Sequence, residues 1–375
     1  MSGPGRSTAK ISELEIGLII YGRLDTLTGG YIYDRMLVEG LQQRGHRVRV
    51  LSLPRRHYTR NLLDNLSPGL FSRLASAGFD LLLQDELNHP SLFWLNYRLR
   101  KILNIPIVAI VHQVLCRQPR NSLLNHLYET IERPYLKSVD ALIFNSQTTR
   151  QTVARLIGDH RPSLVAFPAG DRLGYLAATD RIESRARAPG PLRLIFVGNV
   201  LPNKGLLPLV RNLTQLPHEI WHLTVVGSPA MDRRYFHKVE KLIAAKNLKQ
   251  QVVLAGSKDG PELKLLLARS HVFVMPYSHE GFGMAHLEAM GFALPVMGSA
   301  RGAVREIVLP DQNGFLIEPG DSKTVLDCIS SLYRDRRRLI KMSGAALRTF
   351  HDHPQWQDTT GAIEKFLNEI STKPS

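Results

Sequence analysis

VFVMPYSHEGFGMAHLEAMGFALPVMGSARGAVREIVLPDQNGFLIEPGD, residues 272–321, begins with a short apolar run that ends at Pro276 and reads as a buried strand. Tyr277 to His279 form a turn, and Glu280 precedes a glycine pair, Gly281 and Gly283, that leaves backbone N–H groups free to face a ligand. Met284 to Met290 is helix-compatible, so the glycine loop opens onto a helix N-terminus, where unpaired N–H groups and the helix dipole favour phosphate. Glu288 follows Glu280 by eight positions. At a rise of about 1.5 Å per residue it lies about one and a half turns into that helix, so both carboxylates reach one extended ligand. Either glutamate alone reads equally well as a solvated surface charge on an unrelated α/β protein. The whole constellation does not.

At 375 residues the chain exceeds what one core usually organises, and two domains are expected. Hydrophobic residues make up 43% and charged residues 22%, which excludes disordered and fibrous classes. Lys and Arg number 48 against 33 Asp and Glu, a net charge of +15, so the expected partners are anionic: membrane lipid, nucleic acid or a phosphorylated substrate. The two cysteines, Cys116 and Cys328, lack metal-ligand spacing and favour a reduced, cytoplasmic setting. No apolar run approaches the length of a membrane span, and the opening MSGPGRSTAKISELE has no signal-peptide core, so a soluble or peripherally attached protein is expected.

From the start, residues 1–13 are polar and expected to fray. GLIIYG then reads as a strand, RLDTLTGG as a loop closed by Gly29 and Gly30, and YIYDRMLVEGLQQRG as a helix; with VRVLSL this completes a βαβ unit and hence a parallel sheet. A stretch from Arg55 to Phe71 mixes Arg55, Arg56, Tyr58 and Arg60 with leucines. Two readings of it stand: a membrane-docking surface, or a solvated helix face with its leucines in the core. Arg98, Arg100, Lys101, Arg117 and Arg120 form a second cationic group. FDLLLQDE and IPIVAIVHQ read as strands buried on both faces, and His112 stands at the carboxyl end of the latter, where doubly wound sheets hold their ligands. A histidine that only caps the strand is the alternative. VDALIFNSQTT supplies a strand followed by a helix that Ser146 can cap. RIESRARAPG, residues 181–190, is charged and lacks an apolar face, which marks a linker. Beyond it LRLIFVGN, LTVVGSP and VVLAG repeat the strand pattern, and Lys204, in the loop after the first of these and before a helix, is a cation placed to neutralise charge on an anionic ligand. No cluster of Asp or His ligands is evident, so metal independence is expected.

With strand, glycine turn, helix and paired glutamates in place, residues 272–321 resemble the donor-binding signature of the retaining family-4 glycosyltransferases of GT-B fold. The match lies on Glu280, Gly281, Phe282, Gly283, Glu288, Ala289, Pro295, Val296, Gly302, Glu306, Asn313, Gly314, Pro319 and Asp321. The resemblance implies two Rossmann-like domains with parallel sheets facing across a cleft. Their expected bounds are residues 1–180 on the acceptor side, the linker 181–190, a nucleotide-sugar domain at 191–352, and a helix at 353–375 that packs back on the first domain. It implies a nucleotide-diphosphate hexose as donor, with no further cofactor, and transfer that keeps the anomeric configuration. Glu280 and the backbone of Gly281, Phe282, Gly283 and Met284 would hold sugar and diphosphate, Glu288 the ribose, and His112 the sugar. Gly29 and Gly30 would line the cleft near the donor phosphates. Two departures stand out: Asn199 replaces a common arginine, so one phosphate cation is missing unless Arg193 or Arg301 compensates, and Ala169 replaces the asparagine usual before Gly170 and Asp171.

The acceptor is left open between a membrane lipid or lipid-linked glycan, which suits the charge, and a soluble metabolite or polysaccharide. A nucleic-acid-binding protein would need a reading helix or aromatic platforms, which are not found. A dinucleotide oxidoreductase would need G-x-G-x-x-G after the first strand, and GRLDTLTGG does not supply it.

Overall fold

The computed structural model describes residues 13–118, 120–175 and 179–372, so the segment expected to fray lies, except for its last residue, outside the described residues. Twelve strands form two six-stranded parallel sheets, each Rossmann-like. The first holds β1 (Glu15–Tyr21), β2 (Arg47–Leu53), β3 (Leu81–Asp85), β4 (Ile107–Val111), β5 (Ala141–Phe144) and β6 (Ser163–Val165), in the order 2-1-3-4-5-6. The second holds β7 (Leu192–Val197), β8 (Trp221–Val226), β9 (Val252–Gly256), β10 (Val272–Met275), β11 (Val296–Ser299) and β12 (Gly314–Ile317), in the order 12-11-10-7-8-9. In each sheet the chain order reverses at the strand that opens it. Crevices therefore form beside the carboxyl ends of β1 and β3 in one sheet and of β7 and β10 in the other.

The apolar runs become central strands because both faces are covered: every residue of β3, β4, β10 and β11 is buried. Strand periodicity divides the first sheet's side chains, with Leu18 and Ile20 on one face and Ile19 and Tyr21 on the other. The core beneath Leu18 and Ile20 continues into the second half of the chain through Tyr33, Leu37, Ile363 and Leu367. Ser146 caps the helix Gln147–Ile157 by accepting the Thr149 N–H at 3.0 Å.

The segment expected as a linker, residues 181–190, is largely helical, and the expectation that it lacks an apolar face is corrected. Thr179–Arg187 is a helix, and Ile182 and Ala186, four residues apart, form the apolar face that its charges conceal in the sequence. Arg185 turns inward with them and donates to the carbonyls of Ala268, Phe292 and Ala293 at 3.3, 2.9 and 2.7 Å. Burial pushes its guanidinium down to about 10.

At the other end, the helix Trp356–Ser371 lies along the helix Gly29–Gln43 of the first half. Glu364 accepts from His46 Nε2 at 3.1 Å, and Thr359 donates to the Phe167 carbonyl at 2.8 Å. The helices approach closely because residue 40 is glycine: a Cβ there would stand 2.5 Å from Thr360 Cγ2. Gly40→Ala is expected to lower unfolding free energy in urea by about 2 kcal/mol, the usual cost of overpacking a filled contact, and Thr360→Ala in the same chain to recover part of it.

Candidate active site

The two crevices face each other across one cleft of about 560 Å³. From the first half, the loop after β1 delivers Thr28, Gly29 and Gly30 to the start of the helix Gly29–Gln43, whose N-cap Thr28 makes no side-chain cap, so its first N–H groups point into the cleft uncapped. Gly30 is glycine for space: a Cβ would come within 3.1 Å of the His112 ring. His112 follows β4 directly, and its Nε2 lies 3.0 Å from Asp34 Oδ1. Burial alone would lower this imidazole, but Asp34, with Asp85 behind it, outweighs burial and holds it above the ordinary histidine value. Asp85, the last residue of β3, is pushed up to about 7 by burial and then by the charge of Asp34.

From the second half, the chain leaves β10, turns, and places Glu280 beside Gly302, with the Ala303 N–H donating to the Glu280 carbonyl at 3.1 Å. Gly281 abuts the His112 carbonyl so closely that no Cβ fits between them, and Asn145 donates to that carbonyl at 2.8 Å. Gly283, with φ +106°, caps the eight-residue helix Met284–Gly291 from the left-handed region. Phe282 sends its ring into the core against Phe167 and His353, which leaves its backbone for the cleft. The sulfur of Met284 lies 3.9 Å from where a Gly29 Cβ would stand, so two helix N-termini meet across the cleft.

Both signature carboxylates are paired with cations. Lys204 Nζ lies 2.6 Å from Glu280 Oε1. Burial would raise the Glu280 carboxyl, but Lys204 prevails and holds it below the usual value. Glu288 Oε1 accepts from Arg172 Nε at 2.9 Å, while the same guanidinium reaches Asp259 at 2.5 Å. Here burial outweighs the cation, and the Glu288 carboxyl sits above its usual range.

All eleven residues expected from sequence, Gly29, Gly30, His112, Asn199, Lys204 and Glu280 through Met284 with Glu288, line this one cleft. Asn199 is engaged across it, its side-chain N–H donating to the Leu27 carbonyl at 3.2 Å. Neither Arg193 nor Arg301 supplies the missing cation. Arg193 sits near the start of β7, at the far end of the sheet, and donates to the Arg269 carbonyl at 2.6 Å, and Arg301 is exposed outside the cleft. Arg172, Arg55 and Arg56 line it instead. Arg172 stands next to Gly170 and Asp171, already singled out in the sequence; Asp171 itself accepts the Trp356 N–H at 3.1 Å. Asp85 shares the strand-end position that identified His112, whereas nothing in YIYDRM marks Asp34.

The expectation that no cluster of Asp or His ligands exists is also corrected. Folding gathers Asp34, Asp85 and His112 into one buried group and Glu86, His89 and Glu132 into another, each with ligand atoms within 4.8 Å of one another. Asp34, Asp85 and His112 are too far apart in sequence for spacing to reveal, and in the second group Glu86 and His89 are three residues apart while Glu132 is remote from both.

A sequence model described as Glycosyltransferase Family 4 matches residues 29–170, and one described as Glycosyl transferases group 1 matches residues 179–348. A D-inositol 3-phosphate glycosyltransferase of Xylanimonas cellulosilytica is 27% identical over 244 residues, which is 62% of this chain and 57% of that protein. The sulfoquinovosyl transferase SQD2 of Arabidopsis thaliana is 32% identical over 178 residues, 45% of this chain and 32% of its own length. The chain thus spans about half the length of the curated relatives it matches. Among solved structures, sucrose-phosphate synthase from Thermosynechococcus elongatus superposes with a TM-score of 0.81 at 20% identity, over 96% of this chain and 99% of the other. Anabaena HepE in complex with UDP and glucose gives 0.76 at 17% identity, over 96% and 100%. Both show the same fold. With one family matched on each side of the cleft and the signature glutamates inside it, the chain belongs to the family-4 glycosyltransferases of GT-B fold.

Proposed function

We propose that the chain is a retaining glycosyltransferase that moves a hexose from a nucleotide-diphosphate sugar to an acceptor hydroxyl, the acceptor being a membrane lipid or a lipid-linked or cell-envelope glycan, without a metal ion. The observation that carries this reading is the Lys204–Glu280 pair at 2.6 Å, set between two helix N-termini that face each other. A donor diphosphate placed there meets backbone N–H groups from both halves and takes Lys204 from Glu280. Glu280, freed of its cation, then accepts hydrogen bonds from the sugar hydroxyls, and His112 donates to the sugar from the opposite wall.

Lys204 and the helix ends supply the positive charge that a leaving diphosphate needs, which supports metal independence. Glu288 stays held by Arg172, and Glu280 is engaged by the sugar hydroxyls once Lys204 turns to the diphosphate, which suits ligand binding better than attack on the sugar. Front-face transfer, with the departing phosphate oxygen taking the acceptor proton, fits that arrangement. Asp34 acts on His112 by fixing its ring and favouring its protonated form. Arg172 spans Glu288 and Asp259 and keeps the ribose-binding carboxylate in place. A soluble acceptor bearing phosphate is the second reading, favoured by Arg55 and Arg56 on the cleft wall.

Incubation with a panel of nucleotide sugars, with nucleotide release as the signal, tests the transfer. Glu280→Ala and Lys204→Ala are each expected to lower kcat by about 100-fold, on the order of 3 kcal/mol, and the double variant by little more, because the pair acts as a unit. Full activity in both single variants overturns the reading.

For Arg172→Ala the expected result is a donor KM raised about tenfold with a smaller change in kcat, since uniform binding is what it removes. The Asp34–His112 pair predicts a pH dependence. The folded-state value of His112 is raised, so the pair's stabilisation is fully present below the ordinary histidine pKa and is lost as pH rises through the raised value. Asp34→Asn should therefore cost about 2 kcal/mol of unfolding free energy at pH 5.5 and clearly less at pH 9, as read by urea denaturation.

A further inference from the structure

Eight of the fifteen large hydrophobic side chains exposed among the described residues fall between residues 62 and 127. They lie on one layer of the first half. Leu63 and Leu66 are on the turn Leu62–Leu66, Trp94 precedes the helix Leu95–Leu99, and Leu123, Leu124 and Leu127 are on the helix Ser122–Ser138.

Named bonds tie these pieces together. The buried Asn65 side chain accepts the N–H groups of Trp94 and Leu95 at 2.9 and 3.0 Å, and Arg98 donates to the Asn65 carbonyl at 2.7 Å. Tyr58, in the neighbouring turn, packs edge-on against Tyr128 with ring centroids 4.7 Å apart. The helix Ser122–Ser138 buries Glu132, Tyr135 and Leu136, so the leucines at 123, 124 and 127 form a separate stripe on its first turns. Leu123 is 76% exposed, Leu63 65% and Leu127 63%.

The charge of this layer is equally one-sided. Residues 54–75, 94–103 and 117–137 hold eleven lysines and arginines against three acids, which accounts for eight of the chain's net fifteen positive charges. Two of the acids, Asp64 and Glu132, are buried. Arg55, Arg56 and Tyr58, at the layer's inner edge, already line the catalytic cleft.

We propose that this face docks the protein on an anionic lipid bilayer. The leucines and Trp94 enter the headgroup boundary while the exposed arginines and lysines meet acidic headgroups. The inner edge then opens the cleft towards an acceptor held at the bilayer surface. A nucleic acid offers the same negative charge, but six of the eight exposed side chains are aliphatic and give its bases nothing to stack on, leaving only the neighbouring Trp94 and Tyr97. No helix among the described residues is long and apolar enough to cross a membrane. The inference rests on the proposed lipid acceptor only for its purpose, since bilayer binding is measured without any transfer.

The test is flotation of the full chain with vesicles of phosphatidylcholine alone and with phosphatidylglycerol added at about one part in three. Wild type is expected to float with the mixed vesicles only, and to be released as salt rises from about 0.05 to 0.5 M. L123S/L127S and R117E/R120E, none of them cleft residues, are each expected to lose about tenfold or more in vesicle affinity while keeping the wild-type circular dichroism spectrum and donor turnover.

Failure of wild type to bind mixed vesicles, or unchanged binding in both variants, overturns the proposal. So does a wild-type dimer in light scattering that L123S/L127S dissociates, because the face then belongs to a second copy. Loss of nucleotide release with intact vesicle binding overturns the transfer reading and leaves the docking face standing.

Discussion

The contact on which the site depends is the carbonyl of His112 pressed against Gly281. Any Cβ at residue 281 would collide with that oxygen, which Asn145 holds in place from its own side. Through this contact the carboxyl end of β4 and the turn after β10 meet, so that two crevices become one cleft. Glu306 reinforces it from a second point: its carboxylate accepts the N–H groups of Gln147 and Thr148 at 3.0 and 2.7 Å and so caps a helix of the opposite half. Glu306 belongs to the signature by sequence, yet in this structure it ties the halves together rather than lining the cleft.

Charge in the cleft is organised by exchange. A buried carboxylate without a partner is costly, and each signature glutamate has one: Lys204 for Glu280, Arg172 for Glu288. Lys204 is the more consequential, because the cation that stabilises Glu280 is also the one suited to a diphosphate. In the proposed transfer the diphosphate takes this cation, and the Glu280 carboxylate turns to the hydroxyl donors of the sugar. Asn199 marks the limit of this economy of charge, for it is neutral and already bonded to the Leu27 carbonyl on the facing loop.

The positive charge of the chain is likewise spatial rather than diffuse. It concentrates on the helical layer that walls the cleft on the side of β3 and β4, together with outward leucines that the core does not use. Glu132 of this layer and the neighbouring Glu86 are buried together, each pushed up to about 8 by burial, so the interior beneath the layer carries less negative charge than its residue types suggest. The signature glutamates and this cationic layer thus belong to opposite halves of the cleft.

The sequence by itself determined the parallel α/β architecture, because strands buried on both faces must be apolar throughout and glycine must stand where a helix end meets a ligand. It also determined the cleft residues whose position along a strand or loop reports their location: His112 after β4, Lys204 after β7, Glu280 and Glu288 around the glycine turn. It missed the apolar face within residues 181–190, since an apolar pair four residues apart and an inward arginine look like a wholly charged stretch until they pack. Only the tertiary structure decided which charges pair. Asp34 with His112, Arg172 with Glu288, and the acids grouped around His89 lie on different elements, and no periodicity within an element encodes which elements will meet. Distance along the chain carries no record of distance across the cleft, and that is the quantity on which the electrostatics of the site depend.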